Sequence, residues 1–228
     1  MNYIELHKWN LNYSEAVALQ NELKSKLTHK NVNKIPEIVA GVDISFPFKD
    51  VGLCVIVILD KHLNVVDYIY HTDRIDFPYI PGLLSFREGP LFLKTLKKLK
   101  AEPEMFFFDG QGIAHPRGLG LAAHMGLFMQ KPTIGIAKSR LFGTFVEPDK
   151  SKGNWTALVG KKNEVIGAVL RTRTNTKPVF VSPGHLTDVI SSVRITLAFT
   201  NTFKIPEPTR RAHIITQKLK ANLDDRKL

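Results

Sequence analysis

Met105-Phe106-Phe107-Phe108-Asp109-Gly110-Gln111-Gly112, running on through Ile113-Ala114-His115-Pro116-Arg117-Gly118-Leu119-Gly120, is the stretch on which the fold turns. Four consecutive apolar residues are too few for a helix. Ending on a carboxylate and then glycines, they read as a buried strand that delivers Asp109 to its C-terminal end. Open α/β sheets bind their ligands at that edge. Gly110, Gly112, Gly118 and Gly120 have no Cβ, so a ligand can come close to the backbone there, and the loop reads as a pocket wall. A strand-Asp-Gly step alone is an ordinary turn. Its weight comes from segments elsewhere in the chain that answer it.

On either side of this strand the apolar spacing is helical. Leu83 to Lys100 carries Leu84, Phe86, Leu91, Leu93, Leu96 and Leu99 on one face, with Glu88 inside it and lysines in its last turns, and a second helix covers Gly118 to Gln130. Pro132 to Ala137 is the next strand and presents Lys138 at its end. Strands alternating with helices imply parallel βαβ units. Upstream, Ile38 to Phe46 is a buried strand with one carboxylate, Asp43, embedded in it; Val51 to Leu59 and Val65 to Tyr70 follow as a hairpin. A helix capped by Ser14 precedes them, with Ala16, Leu19, Leu23 and Leu27 in register. Downstream, Trp155 to Val159, Val165 to Leu170 and Val179 to Val181 read as hairpin strands, followed by helices over Thr187 to Phe199 and from Pro208 onward. The expected architecture is α/β, a mixed sheet of three antiparallel strands followed by parallel βαβ strands, flanked by helices, in a single domain over 1–228.

Lys and Arg number 32 against 21 Asp and Glu, a formal net charge of +11. That balance favours a polyanionic partner, nucleic acid above all. The single cysteine, Cys54, lies in an apolar strand, so it predicts core packing and no internal disulfide. No apolar run reaches the roughly 18 residues of a membrane span, and the N-terminus has no signal-peptide core. The expectation is a cytoplasmic monomer with no membrane partner.

Asp43, Glu88 and Asp109 are the carboxylates placed inside regular elements rather than in solvated charge runs. Burying a carboxylate is costly unless positive charge compensates it. Two strand-borne carboxylates and a third from a helix make an oxygen-rich cluster suited to a hard divalent cation such as Mg²⁺, which on a phosphodiester can polarise the phosphoryl oxygen and activate water. Lys138 could neutralise charge growing in the transition state. His213 could be a ligand or a proton carrier. Phe77-Pro78-Tyr79-Ile80-Pro81-Gly82 is a stiff extended loop with an apolar tip, because two prolines fix φ on either side of Tyr79-Ile80.

Five ordered segments, Val42-Asp43-Ile44-Ser45-Phe46, Pro78 to Glu88, Phe108 to Arg117, Gly135-Ile136-Ala137-Lys138-Ser139 and Val181-Ser182-Pro183-Gly184-His185, resemble endonuclease V, the deoxyinosine-specific DNA repair nuclease. The resemblance implies a ribonuclease H-like fold and Mg²⁺-dependent hydrolysis of the second phosphodiester bond 3′ to a deoxyinosine, leaving 3′-hydroxyl and 5′-phosphate ends. It places metal-binding carboxylates at Asp43 and Asp109, with Glu88 as the third acidic member, the catalytic lysine at Lys138 and the active-site histidine at His213. It places a strand-separating wedge at Pro78, Tyr79, Ile80 and Pro81. The pocket for the flipped base falls on Leu84, Gly110, Gln111, Gly112, His115 and Gly120. Inosine-containing RNA is a second candidate substrate. Another ribonuclease H-like nuclease, such as a junction resolvase, would share the carboxylates but has no use for a stiff aromatic loop beside a glycine pocket; a non-catalytic binding protein has no use for carboxylates where phosphate must sit.

Overall fold

The computed structural model describes residues 1–223. Its centre is one eight-stranded sheet in the order β3-β2-β1-β4-β5-β8-β7-β6. Strands β1 (Ile38–Phe48), β2 (Val51–Asp60) and β3 (Val65–Arg74) form the antiparallel opening; β4 (Met105–Asp109) and β5 (Thr133–Ala137) run parallel to β1. The remaining strands β6 (Trp155–Val159), β7 (Val165–Leu170) and β8 (Val179–Pro183) are joined antiparallel, with β8 against β5. This is the mixed α/β sheet of the ribonuclease H-like class.

The apolar run of β4 is continuous because both of its faces are covered. Phe106 and Phe108 pack with Phe92, Met125 and Phe128 on one side, under α2 (Leu84–Lys97) and α3 (Leu121–Met129). Met105 and Phe107 pack with Val193, Phe199 and Ala212 on the other, under α4 (Val189–Ala198) and α5 (Glu207–Lys220). All three phenylalanines of β4 are fully buried, each contributing roughly 1.5–3 kcal/mol by transfer. Cys54 lies in the first of these clusters, and burial holds its thiol well above the usual range.

Several element ends differ from the sequence expectation. The first helix, α1 (Tyr13–Leu23), is capped by Asn12, whose side chain accepts from Glu15 N while Glu15 returns a bond to Asn12 N; this reciprocal pair outcompetes Ser14. Helix α3 begins three residues later than expected, since Gly118 adopts φ +71° and Gly120 is extended. Strand β3 runs on to Arg74 because its pairing with β2 continues to Val51. Pro208 falls in the first turn of α5, which starts at Glu207. That helix is seated on β1 at Gly41, where a Cβ would stand 2.0 Å from the Pro208 carbonyl oxygen. Among the described residues no helix is long and apolar enough to cross a membrane.

Candidate active site

Side chains alternate along β1, so Asp43 shares the α5 face of the sheet with Val39 and Gly41. It is buried, and His213 of α5 meets it with Nδ1 at 3.3 Å from Oδ1. The other oxygen, Oδ2, has no hydrogen-bond partner. Burial raises the Asp43 pKa; the Thr216 hydroxyl and His213 oppose this and Asp109 adds to it, although the bond Thr216 makes is to the Ala212 carbonyl, at 2.9 Å. Parallel pairing of β1 with β4 carries Asp109 to the neighbouring strand end. Lys138, at the end of β5, donates from Nζ to Asp109 Oδ2 at 2.9 Å. Glu88 projects from the second turn of α2 into the same space and is buried; desolvation, then the charges of Asp43 and Asp109, push its pKa up to about 8.

The five chemistry-bearing residues thus converge on one sheet edge from β1, α2, β4, β5 and α5. Among the described residues no three His, Cys, Asp or Glu side chains cluster tightly enough to cage an ion as they stand. The donor chemistry nevertheless fits a hard cation: a buried carboxylate oxygen without a partner and a glutamate pushed toward neutrality are both short of positive charge.

Beside this edge lies a pocket of about 150 Å³. Clefts for drug-sized ligands hold roughly 300–1,000 Å³, so this one suits a small flat group. Tyr79, Ile80, Pro81, Leu84, Gly110, Gln111, His115 and Gly120 line it; Pro78 does not. Gly112 is also turned away from it, packed so tightly on β8 that a Cβ would sit 2.0 Å from the Pro183 carbonyl oxygen, while its N–H donates to Ser182 Oγ at 2.7 Å. The close approach that this glycine permits is strand against loop, not ligand against loop. His185 donates its backbone N–H to Thr133 Oγ1, and its ring Nδ1 accepts from the Thr28 N–H.

Pocket residues that the sequence did not single out are Gln20, Ser85, Leu119, Leu121 and Leu141. Gln20 reaches from α1 to donate to both the Gly82 and Leu119 carbonyls at 3.0 Å. His115 Nε2 (3.0 Å) and Arg117 Nη2 (2.6 Å) also donate to Gly82, so three side chains from two segments clamp the base of the Pro-Tyr-Ile-Pro loop. Tyr79 at its tip is 70% exposed. Ser85 bonds to His124 Nδ1 at 3.0 Å, and His124 meets His7 across 2.8 Å.

Burial, then the Arg117 charge, holds the His115 pKa down to about 4, although the Gly82 carbonyl pulls the other way. A folded pKa below the unfolded one means that the neutral ring stabilises the fold above pH 6.5, and this is lost as pH falls from 6.5 to 4. The whole contribution is about 3 kcal/mol. Urea unfolding at pH 7 and pH 4.5 should therefore show a shallower pH dependence for His115→Gln than for the parent, by about 2 kcal/mol. Parallel curves would remove His115 as a buried neutral group.

A family model described as Endonuclease V matches residues 21–214. The chain is 55% identical over 217 residues to an endonuclease V of Kosmotoga olearia, covering 95% of this chain and 96% of the relative. The crystal structure of an endonuclease V from Bacillus subtilis superposes with a TM-score of 0.92 at 34% identity, covering 97% of this chain and 98% of that one. A Ciona intestinalis endonuclease V, solved in complex with a 24mer DNA containing an inosine followed by a ribo-adenosine, superposes with a TM-score of 0.82 at 28% identity, over 92% and 98% of the two chains.

Proposed function

The chain belongs to the endonuclease V family, and from that membership we propose that it is a Mg²⁺-dependent DNA repair endonuclease that extrudes deoxyinosine from the helix and hydrolyses the second phosphodiester bond 3′ to it, leaving 3′-hydroxyl and 5′-phosphate ends. The observation that carries this reading is the adjacency of the small pocket to the carboxylate edge: Gly110 lines the pocket and directly follows Asp109. A base held in one lies a short stretch of backbone from a phosphodiester at the other.

Hypoxanthine lacks the 2-amino group of guanine and carries a protonated N1 where adenine has a bare one, so a tight pocket of backbone groups can accept it and exclude both. That edge is hidden in a paired duplex. Extrusion costs a few kcal/mol of stacking, which an apolar side chain entering the gap offsets. Tyr79 is the candidate for that role: it is exposed on a proline-stiffened loop and lines the pocket, which supports the reading.

Asp43 and Asp109 would hold the cation directly and Glu88 through water, and the cation would polarise the phosphoryl oxygen and lower the pKa of the attacking water. Lys138 sits on Asp109 and faces charge that develops on the phosphoryl group. His213 orients Asp43 and stands where a proton can be carried to or from the reacting oxygens.

Incubation of one labelled inosine-containing oligonucleotide with Mg²⁺, beside adenine and guanine controls, tests the proposal. Nicking restricted to inosine and stopped by a chelator is expected, and nicking blind to the base would overturn it. The Ciona relative was crystallised with a ribo-adenosine after the inosine, so inosine-containing RNA belongs in the same assay as a second substrate. Lys138→Ala should lower kcat by roughly a hundredfold with substrate affinity retained, since its partner is charge present only in the transition state. A change confined to KM would give Lys138 to binding instead. Tyr79→Ala should lose about tenfold or more on duplex inosine and much less on a single strand, where little stacking is broken. Equal losses together with a lowered melting temperature would assign Tyr79 to the fold.

A further inference from the structure

A second, larger cleft opens on the other side of the Pro-Tyr-Ile-Pro loop. It holds about 550 Å³, and Ile80 lines both this cleft and the base pocket, so the loop is the partition between them. Trp9, Phe77 and Phe86 supply an apolar wall, and Arg74 and Arg87 stand at it as cations. Arg87 is engaged, donating to the Phe77 and Lys49 carbonyls. Arg74 is not: Lys94 takes the neighbouring Asp73 carboxylate, and the exposed guanidinium has no ion pair among the described residues. Asp76 is the acidic group at the cleft.

The sheet places this cleft relative to the scissile edge. Strand β3 runs in the same direction as β1, so Arg74 ends β3 on the edge where Asp109 ends β4. With β2 and β1 between, the two strand ends are three spacings apart across the sheet, and the register sets Arg74 level with Phe48 while Asp109 is level with Asp43, so they stand about 20 Å apart. Arg74 therefore stands away from the scissile edge, at the cleft on the far side of the loop.

We propose that this cleft is a subsite for the undamaged strand, with Arg74 on a phosphate and the Trp9–Phe77–Phe86 wall covering the nucleotide left without a partner once the lesion is extruded. The inference rests on the inosine reading and extends it: the loop has two sides, and each side receives one of the separated strands. A lesion-bearing single strand has no need of the cleft.

The test is Arg74→Ala on three substrates: an inosine single strand, an inosine duplex, and the same duplex with a one-nucleotide gap opposite the lesion. Arg74 is an exposed edge-strand end, so its loss should leave stability within about 0.5 kcal/mol. We expect kcat/KM to fall about tenfold on the duplex, with no change on the single strand and a much smaller deficit on the gapped duplex. The slope of log affinity against log salt should drop by about one on the duplex alone. An equal loss on single strand and duplex, an unchanged duplex slope, or a deficit that survives the gap in full would each overturn the subsite. If the parent enzyme nicks neither the inosine duplex nor the inosine single strand, the inosine reading itself falls; if it nicks the duplex and Arg74→Ala matches it there, only the subsite falls.

Discussion

Asp109→Ala should reduce inosine-directed nicking at least about a thousandfold, equivalent to roughly 4 kcal/mol of transition-state stabilisation. The side chain is the proposed direct cation ligand at the end of β4 and the partner of Lys138 at 2.9 Å. Its removal leaves the lysine without a counter-charge and the cation short of an oxygen. Stability should hardly move, because this is a partly exposed ion pair, and such pairs contribute about 0–1 kcal/mol. Binding to an inosine duplex should persist, since the chain's net positive charge is not reduced by the change. Activity within tenfold of the parent in Mg²⁺, in a folded variant, would remove Asp109 from the chemistry.

The second large effect is on the fold. Gly41→Ala should destabilise the protein by about 3 kcal/mol or more, because the new Cβ meets the backbone of Pro208 at 2.0 to 2.8 Å and backbone cannot swing aside as a side chain can. In a protein of this size that lowers the melting temperature by about 6–12 °C. Gly41 lies two residues before Asp43 and Pro208 lies at the start of the helix that carries His213, so whatever fold survives should also have lost the 3.3 Å contact between them. Gly153→Ala is the control. A Cβ there meets nothing within 4 Å, and only the φ of +95° opposes it, at a cost of about 1–2 kcal/mol. Equal melting temperatures for the two variants would show that α5 is not seated as tightly as described.

The sheet was readable from the chain wherever chemistry and pattern coincided. The run Met105 to Phe108 announces a strand buried on both faces, and Asp43 is conspicuous because a carboxylate is out of place in an apolar strand. The direct contacts among the five edge residues were not readable, since they depend on strand order. Pocket residues were harder still. Gln20 is a polar residue at helical spacing between Ala16 and Leu23 on the buried face of α1, where its amide reaches the Gly82 and Leu119 carbonyls. Leu121 and Leu141 are ordinary apolar residues until the loops fold over the pocket. Gly112 illustrates a limit of principle: the sequence reports that something approaches the backbone closely but not whether it is a ligand or, as here, Pro183. Capping at Asn12 rather than Ser14 turned on Glu15 returning a bond, a pairing that spacing alone leaves open.

His213 contacts an aspartate made 170 residues earlier in the chain. During synthesis, then, β1 to β8 can emerge from the ribosome while one whole face of β1 and β2 still waits for the helix that covers it. Until residue 213 has been added and α5 has docked, Asp43 lacks its histidine, and its other oxygen has no partner even in the finished fold.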